Sequence, residues 1–288
     1  MRRAGIVLAI TLGGCAFEGS ALDFTIDPDA TTRCERTFAL EELTHVRCDH
    51  ATVTIATGAF GLSAREVHLM HPVGAPPASG WPAAILFQGS FHSAEGFFEG
   101  DASDDFGGLH QANLVASLLE AGFVVIAPEA RYDGATYWDT NVLPWAIAWD
   151  ESEDHQLMVE LFAAIDGGGL GPIDGARLFA TGISSGGYMT SRMAVSYPGR
   201  FRALAIASAS YATCSGPLCD VPALPADHPP TLFLHGREDL VVPLATARAY
   251  ATALDEQETP TRLVVDDASG HEWTRRAPVE IVDWFSAP

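Results

Sequence analysis

Thr181-Gly182-Ile183-Ser184-Ser185-Gly186-Gly187 carries the form G-x-S-x-G between an apolar run, Arg177 to Thr181, and a helix-patterned segment, Ser185 to Tyr197. That form is expected of a sharp strand-to-helix turn that pushes a serine out of the backbone. Such a turn brings chain segments too close for a Cβ, which accounts for the flanking glycines. A serine hydroxyl is a poor nucleophile at its free pKa and needs a neighbouring base. The helix that follows turns free N–H groups and the positive end of its dipole toward the serine. Ser184 is the candidate nucleophile, and the backbone N–H of Ser185 is a candidate donor to an oxyanion.

Outward from this turn, strand-like and helix-like segments alternate. Ala83 to Phe87, Phe123 to Ala127, Leu178 to Ala180, Ala203 to Ala207, Thr231 to Leu234 and Thr261 to Val265 are apolar runs. Continuous runs of this kind suit strands covered on both faces. Helical patterns at His110 to Glu120, His155 to Ile165 and Leu244 to Leu254 fill the gaps. Strands separated by helices of about a dozen residues imply βαβ units and a mostly parallel sheet. Thr52 to Ala56 and Arg65 to Met70 alternate in polarity instead, as an exposed antiparallel edge hairpin would. The expectation is an α/β fold with a mostly parallel sheet of about eight strands and helices on both faces.

The chain has 288 residues, 48% of them hydrophobic, enough for one large core. Its 37 acidic and 16 basic residues give a formal charge of −21, which excludes a phosphate-binding surface for nucleic acid and disfavours attachment to anionic lipid. Arg2 and Arg3 before the apolar stretch Ala4 to Leu12 make residues 1–15 an export leader, too short to span a bilayer. It ends in Leu12-Gly13-Gly14-Cys15, similar to a bacterial lipoprotein box in which Cys15 becomes the lipidated first residue; cleavage after Gly19-Ser20-Ala21 is the competing expectation. Residues 16–30 are small, polar and acidic, as a tether would be, and residues 31–288 form a single domain. Export makes disulfides the expected state of Cys34, Cys48, Cys214 and Cys219. Proximity favours Cys34–Cys48 and Cys214–Cys219 among three possible pairings. No pair has the tight spacing of a structural zinc site.

In an open α/β sheet, reacting groups gather at the carboxyl ends of the strands. Two predicted strands beyond Ser184 run into His235-Gly236-Arg237-Glu238-Asp239-Leu240-Val241-Val242-Pro243 and into Asp266-Asp267-Ala268-Ser269-Gly270-His271-Glu272-Trp273. The order Ser, Asp, His is that of the α/β-hydrolases. Taken together, G-I-S-S-G-G, H-G-R-E-D-L-V-V-P and S-G-H-E-W resemble the α/β-hydrolase superfamily. Within it, the chain is similar to secreted polyhydroxybutyrate-depolymerase-like and feruloyl-esterase-like carboxylesterases. The likeness spans roughly residues 60–285 and includes the block from Ser184-Ser185-Gly186-Gly187-Tyr188-Met189 to Tyr197-Pro198-Gly199-Arg200-Phe201-Arg202-Ala203.

That resemblance implies a catalytic triad of Ser184, Asp239 and His271, with Glu238 the one close competitor for the acid and His235 a brace for the Asp239 loop. It also implies a second oxyanion donor from the loop Gln88-Gly89-Ser90-Phe91-His92, at Ser90. Relatives usually carry His-Gly where this chain has Gln88-Gly89. Tyr137, Trp138, Trp145, Trp149 and Trp273 are aromatic candidates near the cleft; Phe91, Trp138 and Trp273 are the expected substrate contacts. The expected partner is an ester, polyesters included, hydrolysed without cofactor or metal; the only membrane link is a lipid on Cys15. A peptidase of the prolyl-oligopeptidase-like branch, lacking its propeller, is an alternative. A catalytically silent binding protein on the same fold is another.

Overall fold

The computed structural model describes residues 31–57, 63–131 and 136–287. The expected leader, Cys15 and the tether at 16–30 lie outside the described residues. The elements, in chain order, are β1 (Cys34–Ala39), β2 (Glu42–Cys48), β3 (Ala51–Thr57), β4 (Ser63–Met70), β5 (Trp81–Phe87), β6 (Glu99–Asp101), α1 (Gly108–Glu120), β7 (Val124–Pro128), α2 (Glu153–Asp166), β8 (Ile173–Ile183), α3 (Ser185–Ser196), β9 (Phe201–Ala207), β10 (Thr231–Gly236), α4 (Leu244–Glu256), β11 (Thr261–Asp266) and α5 (Ala277–Ser286).

Eight strands form the central sheet in the order β11-β10-β9-β8-β5-β7-β4-β3. From β11 to β7 every pairing is parallel, and β4 and β3 add an antiparallel end. Successive strand residues face opposite sides of the sheet, so each parallel strand feeds two cores. Ala84, Leu86, Val125, Ala127, Leu232 and Leu234 pack under α1 and α5. Ile85, Phe87, Val124, Ile126, Ala180 and Leu204 pack under α2 and α3, and Ile206 and Phe233 pack under α4. This two-sided burial is why these strands read as unbroken apolar runs.

The edge hairpin needs one correction. Of its two strands β3 alone lies at the edge of the sheet; β4 lies between β3 and β7, and Val67 to Met70, His68 included, are buried. The polar alternation of β4 marks its first half alone, because its second half pairs with β7 and is covered on both faces.

A second, three-stranded antiparallel sheet, β1-β2-β6, packs on α1. Cys34 and Cys48 are register partners in β1 and β2 and are joined by a disulfide; Cys214 and Cys219 form the other. Both bridges are the short-loop pairings that proximity favoured.

Candidate active site

The turn between β8 and α3 is built around contacts that only glycine allows. A Cβ on Gly186 would stand 1.9 Å from the Phe87 carbonyl oxygen, and one on Gly182 would stand 2.4 Å from the Gly186 oxygen. The end of β5 therefore presses directly on the turn. Between them Ser184 takes φ 55° and ψ −121°, a backbone state costly for a residue with a side chain and held only by its surroundings. Its N–H donates to Ala207 at the end of β9, and its carbonyl accepts from Tyr188 to begin α3. From Leu178 to Ala194 every other residue is buried; Ser184 alone reaches the surface.

Parallel pairing brings the carboxyl ends of β5, β8, β9, β10 and β11 to the same edge of the sheet. Past β10 and β11 the two loops meet at a second close approach, where a Cβ on Gly236 would lie 2.1 Å from the Gly270 oxygen. The N–H of Glu238 donates to Ser269 and that of Arg237 to Asp266. This locks Asp239 to His271: Nδ1 of His271 lies 2.8 Å from Oδ2 of Asp239. Oδ1 of Asp239 accepts from the N–H groups of Val241 and Val242 at 2.9 and 2.8 Å. Burial works against the Asp239 charge, but these donors outweigh it and hold the carboxyl below its usual range. With Nδ1 of His271 bonded to a carboxylate, Nε2 is the atom left for proton transfer. Ser208, after β9, ties its hydroxyl to the Glu272 carbonyl and its N–H to Leu234, and it directly follows Ala207, whose carbonyl takes the Ser184 N–H.

His235 is buried, and its Nε2 contacts the Val242 carbonyl at 2.8 Å and Oδ2 of Asp239 at 3.4 Å. Burial pushes its pKa down, so it stays neutral and braces the loop. Glu238 points to solvent.

The loop after β5 turns tightly, with the His92 N–H directed to the Gly89 carbonyl and Phe91 in the left-handed region. Ser90 is half-buried there, and Gly89 lies against Ile183 of the elbow. The Phe91 N–H is committed to the Thr136 carbonyl. Ser185 opens α3, where the first four N–H groups have no acceptor within the helix.

Gln88 faces inward. Its Nε2 donates to the His92 carbonyl and to Oε2 of Glu129, and its Oε1 accepts from the Ala130 N–H. Oε1 of Glu129 accepts from the Ala94 N–H at 2.8 Å and lies 3.5 Å from Nε2 of His68. Burial opposes the Glu129 charge; His68, Gln88 and the Ala94 N–H outweigh it and hold the pKa low. Sequence reasoning missed Glu129, although an acid directly after the apolar run of β7 was a legible signal.

Two of the three expected substrate contacts belong to the packing instead. Trp138 is fully buried edge-on against Phe87; its indole N–H donates to the Gln88 carbonyl and its backbone N–H to Oγ of Ser185. Trp273 is buried against Phe97, with its indole N–H on Oε1 of Gln111. Each indole has an internal partner for its N–H and fills core volume, so neither presents surface to a ligand. Trp149 is buried as well, under the Arg192 guanidinium. Phe91, by contrast, is 81% exposed. Phe106 was not anticipated: it sits with φ 56° and turns its ring toward both His271 and His92.

Comparison with known proteins places this geometry in context. No protein-family model matches the chain. It is 43% identical over 285 residues, 98% of this chain and 96% of its counterpart, to a poly(3-hydroxyoctanoate) depolymerase of Pseudomonas fluorescens. Among solved structures, a Bacillus cereus carboxylesterase matches 77% of this chain and 93% of its own at 13% identity, with TM-score 0.53. A Pyrococcus horikoshii acylaminoacyl peptidase matches 84% of this chain and 40% of its own at 15% identity, with TM-score 0.57. These structural likenesses carry the fold alone.

Proposed function

The chain belongs to the family of the Pseudomonas fluorescens poly(3-hydroxyoctanoate) depolymerase, on an α/β-hydrolase fold, and from that premise we propose a serine polyesterase acting on hydroxyalkanoate esters. The same site is proposed to take short-to-medium acyl and aromatic esters. The observation that carries this reading is the Asp239–His271 pair at the sheet edge where Ser184 alone breaks an otherwise buried stretch.

His271 accepts the Ser184 proton at Nε2 while Oγ of Ser184 attacks the ester carbonyl carbon. The carbonyl oxygen becomes an oxyanion, held by the N–H groups of Ser185 and Ser90. Collapse expels the alkoxide, which takes the proton from His271 and leaves an acyl-serine. Water, deprotonated by His271, releases the acid and restores Ser184. Asp239 holds the imidazole tautomer and stabilises the imidazolium formed at each step. A hydroxyalkanoate chain supplies both the acyl carbon and the leaving hydroxyl, so one site shortens the polymer repeatedly.

Residues 31–288 are proposed as one catalytic domain, exported by the leader at 1–15 and released or held at the membrane through Cys15. The two disulfides fit an oxidising compartment. The deciding experiment compares wild type with Ser184→Ala on p-nitrophenyl esters, an aminoacyl anilide and a hydroxyalkanoate film. Ester and film turnover that vanishes in Ser184→Ala, with unchanged thermal unfolding, is the expected result. Anilide cleavage faster than ester cleavage would replace this reading with a peptidase.

A further inference from the structure

The loops around this site carry most of the large apolar side chains that the described residues expose. Phe91 follows β5, Leu143 and Ile147 follow β7, Leu218 follows β9, and Leu240 and Val241 follow β10. Leu240 is 94% exposed, Ile147 86% and Leu218 77%. Elsewhere among the described residues, comparable exposure is confined to Phe38 and Leu40 at the β1–β2 turn and to Val159 and Val279 on α2 and α5. Single exposed apolar residues are ordinary; a group of them on the loops of one edge marks an interaction surface.

These loops close on one another in a circuit. The Phe91 N–H bonds Thr136 at 2.9 Å, and Nδ2 of Asn141 bonds the Cys214 carbonyl at 3.0 Å. Gly216 passes beside the Val241 carbonyl, inside the short loop that the Cys214–Cys219 disulfide staples. Asp239 joins His271, the His271 ring meets Phe106, and Phe106 meets His92 back on the first loop. From beneath, Arg192 of α3 fixes the β7 loop through Oγ1 and the carbonyl of Thr140 and the carbonyl of Ala146. The exposed side chains thus stand on braced backbone, which keeps the ordering cost of binding small.

We propose that this rim is the adsorption surface of the enzyme, and that its occupant is the neutral, alkyl-bearing face of a solid polyester. The proposal rests on the hydrolase reading above and extends it from the scissile ester to the bulk material. The rim belongs to the same loops that carry Asp239, His271 and the β5 turn, so whatever lies flat on it delivers its carbonyls to Ser184. The chain has no lysine and a charge of −21, and the rim's Arg237 is held by Asp267. An anionic lipid face is therefore disfavoured, whereas a neutral polymer with apolar side chains meets matching surface.

The test uses amorphous poly(3-hydroxyoctanoate) particles and soluble p-nitrophenyl butanoate. Ile147→Asp/Leu218→Asp is compared with Val159→Asp/Val279→Asp, an equal change on exposed helical positions elsewhere. Adsorption is read in a Ser184→Ala background, where no turnover erodes the particles. The rim pair is expected to weaken adsorption and particle clearing at least tenfold and to leave soluble-ester kcat/KM within twofold; the helical pair should alter neither. Adsorption by the wild type should persist in high salt, which strengthens apolar burial and screens charge. Unchanged adsorption of the rim pair, an equal loss in the helical pair, or a wild-type dimer in sedimentation that the rim pair dissolves would overturn the proposal. A wild type inert on soluble esters would overturn the hydrolase reading instead, and the adsorption arm would still decide the rim.

Discussion

Asp239 and Asp139 are both side chains with no exposure to solvent, and they behave in opposite ways. Asp239 receives His271 and two backbone N–H groups, and its carboxyl stays below the usual range. Asp139 meets Arg131 at 3.5 Å, and its own N–H is spent on Oδ2 of Asp154 at 2.6 Å. Burial first, and the Asp154 charge second, push the Asp139 pKa up to about 7. Enclosure alone favours the neutral acid; aimed donors favour the ionised form even when the carboxyl is enclosed. An acid that must steady an imidazolium through a reaction cycle needs the second environment. The carboxylate at 239 has it, with His271 bonded to one oxygen and two backbone N–H groups to the other.

Removing the charge at 239 should produce the largest effect. Asp239→Asn is expected to lower kcat on soluble esters about 10³–10⁴-fold, because an amide cannot hold the same His271 tautomer or stabilise its cation. Glu238→Gln, one residue away and solvent-facing, should stay within twofold of wild type. Steady-state kinetics of the two variants decide between them; a dead Glu238→Gln beside an active Asp239→Asn would move the acid to 238.

Glu129 sharpens the comparison as a third, partly enclosed carboxylate that donors keep ionic. It holds the β5 loop through the Gln88 side chain and the Ala94 N–H, and positioning that loop is its proposed role. Glu129→Gln should cut kcat about 10–100-fold, since a shift near 1 Å in an oxyanion donor costs that much. KM for a soluble ester should change less than threefold. A matched rise in KM, or a fall in thermal stability with kcat intact, would assign Glu129 to the fold alone.

The parallel core and the loops differed in how much the residues disclosed. Runs such as Ala83 to Phe87 and Thr231 to Leu234 are covered on both faces, so hydrophobicity itself marked them, and glycines forced by close approach marked the elbow. The small sheet of β1, β2 and β6 escaped notice because β1 and β2 are largely exposed or half-buried and β6, three residues long, pairs with β2 across some fifty residues of chain. The indoles of Trp138 and Trp273 misled for a related reason. An aromatic beside a cleft loop has the same composition whether it faces the cleft or plugs the floor, and only the partners of its N–H, Gln88 and Gln111, separate the two. Glu129 stood in plain view after β7, but its partners were hidden by distance in sequence, since they sit on β4 and on the loop after β5.

The smallest expected effect concerns Asp139 itself. In the unfolded chain its carboxyl titrates near 4, so between about pH 4 and 7 the folded protein binds more protons than the unfolded one. Stability contributed by this site is therefore present at low pH, declines as pH rises through that window, and is lost above 7. The proton belongs to the Asp139–Asp154 pair, whose like charges Arg65 and Arg131 offset only in part. Asp139→Asn removes the charge that must be enclosed at high pH. The variant should match wild type near pH 5 and exceed it by about 1–2 kcal/mol at pH 8, as denaturant titrations at the two pH values would show. Because Trp138, its neighbour, is fully buried and reaches Ser185 through its backbone N–H alone, kcat should move less than threefold. A slope with pH that survives the substitution would put the proton on Asp154 alone. Asp139 would then be an ordinary carboxylate held ionic by Arg131, and the contrast with Asp239 would narrow to the histidine.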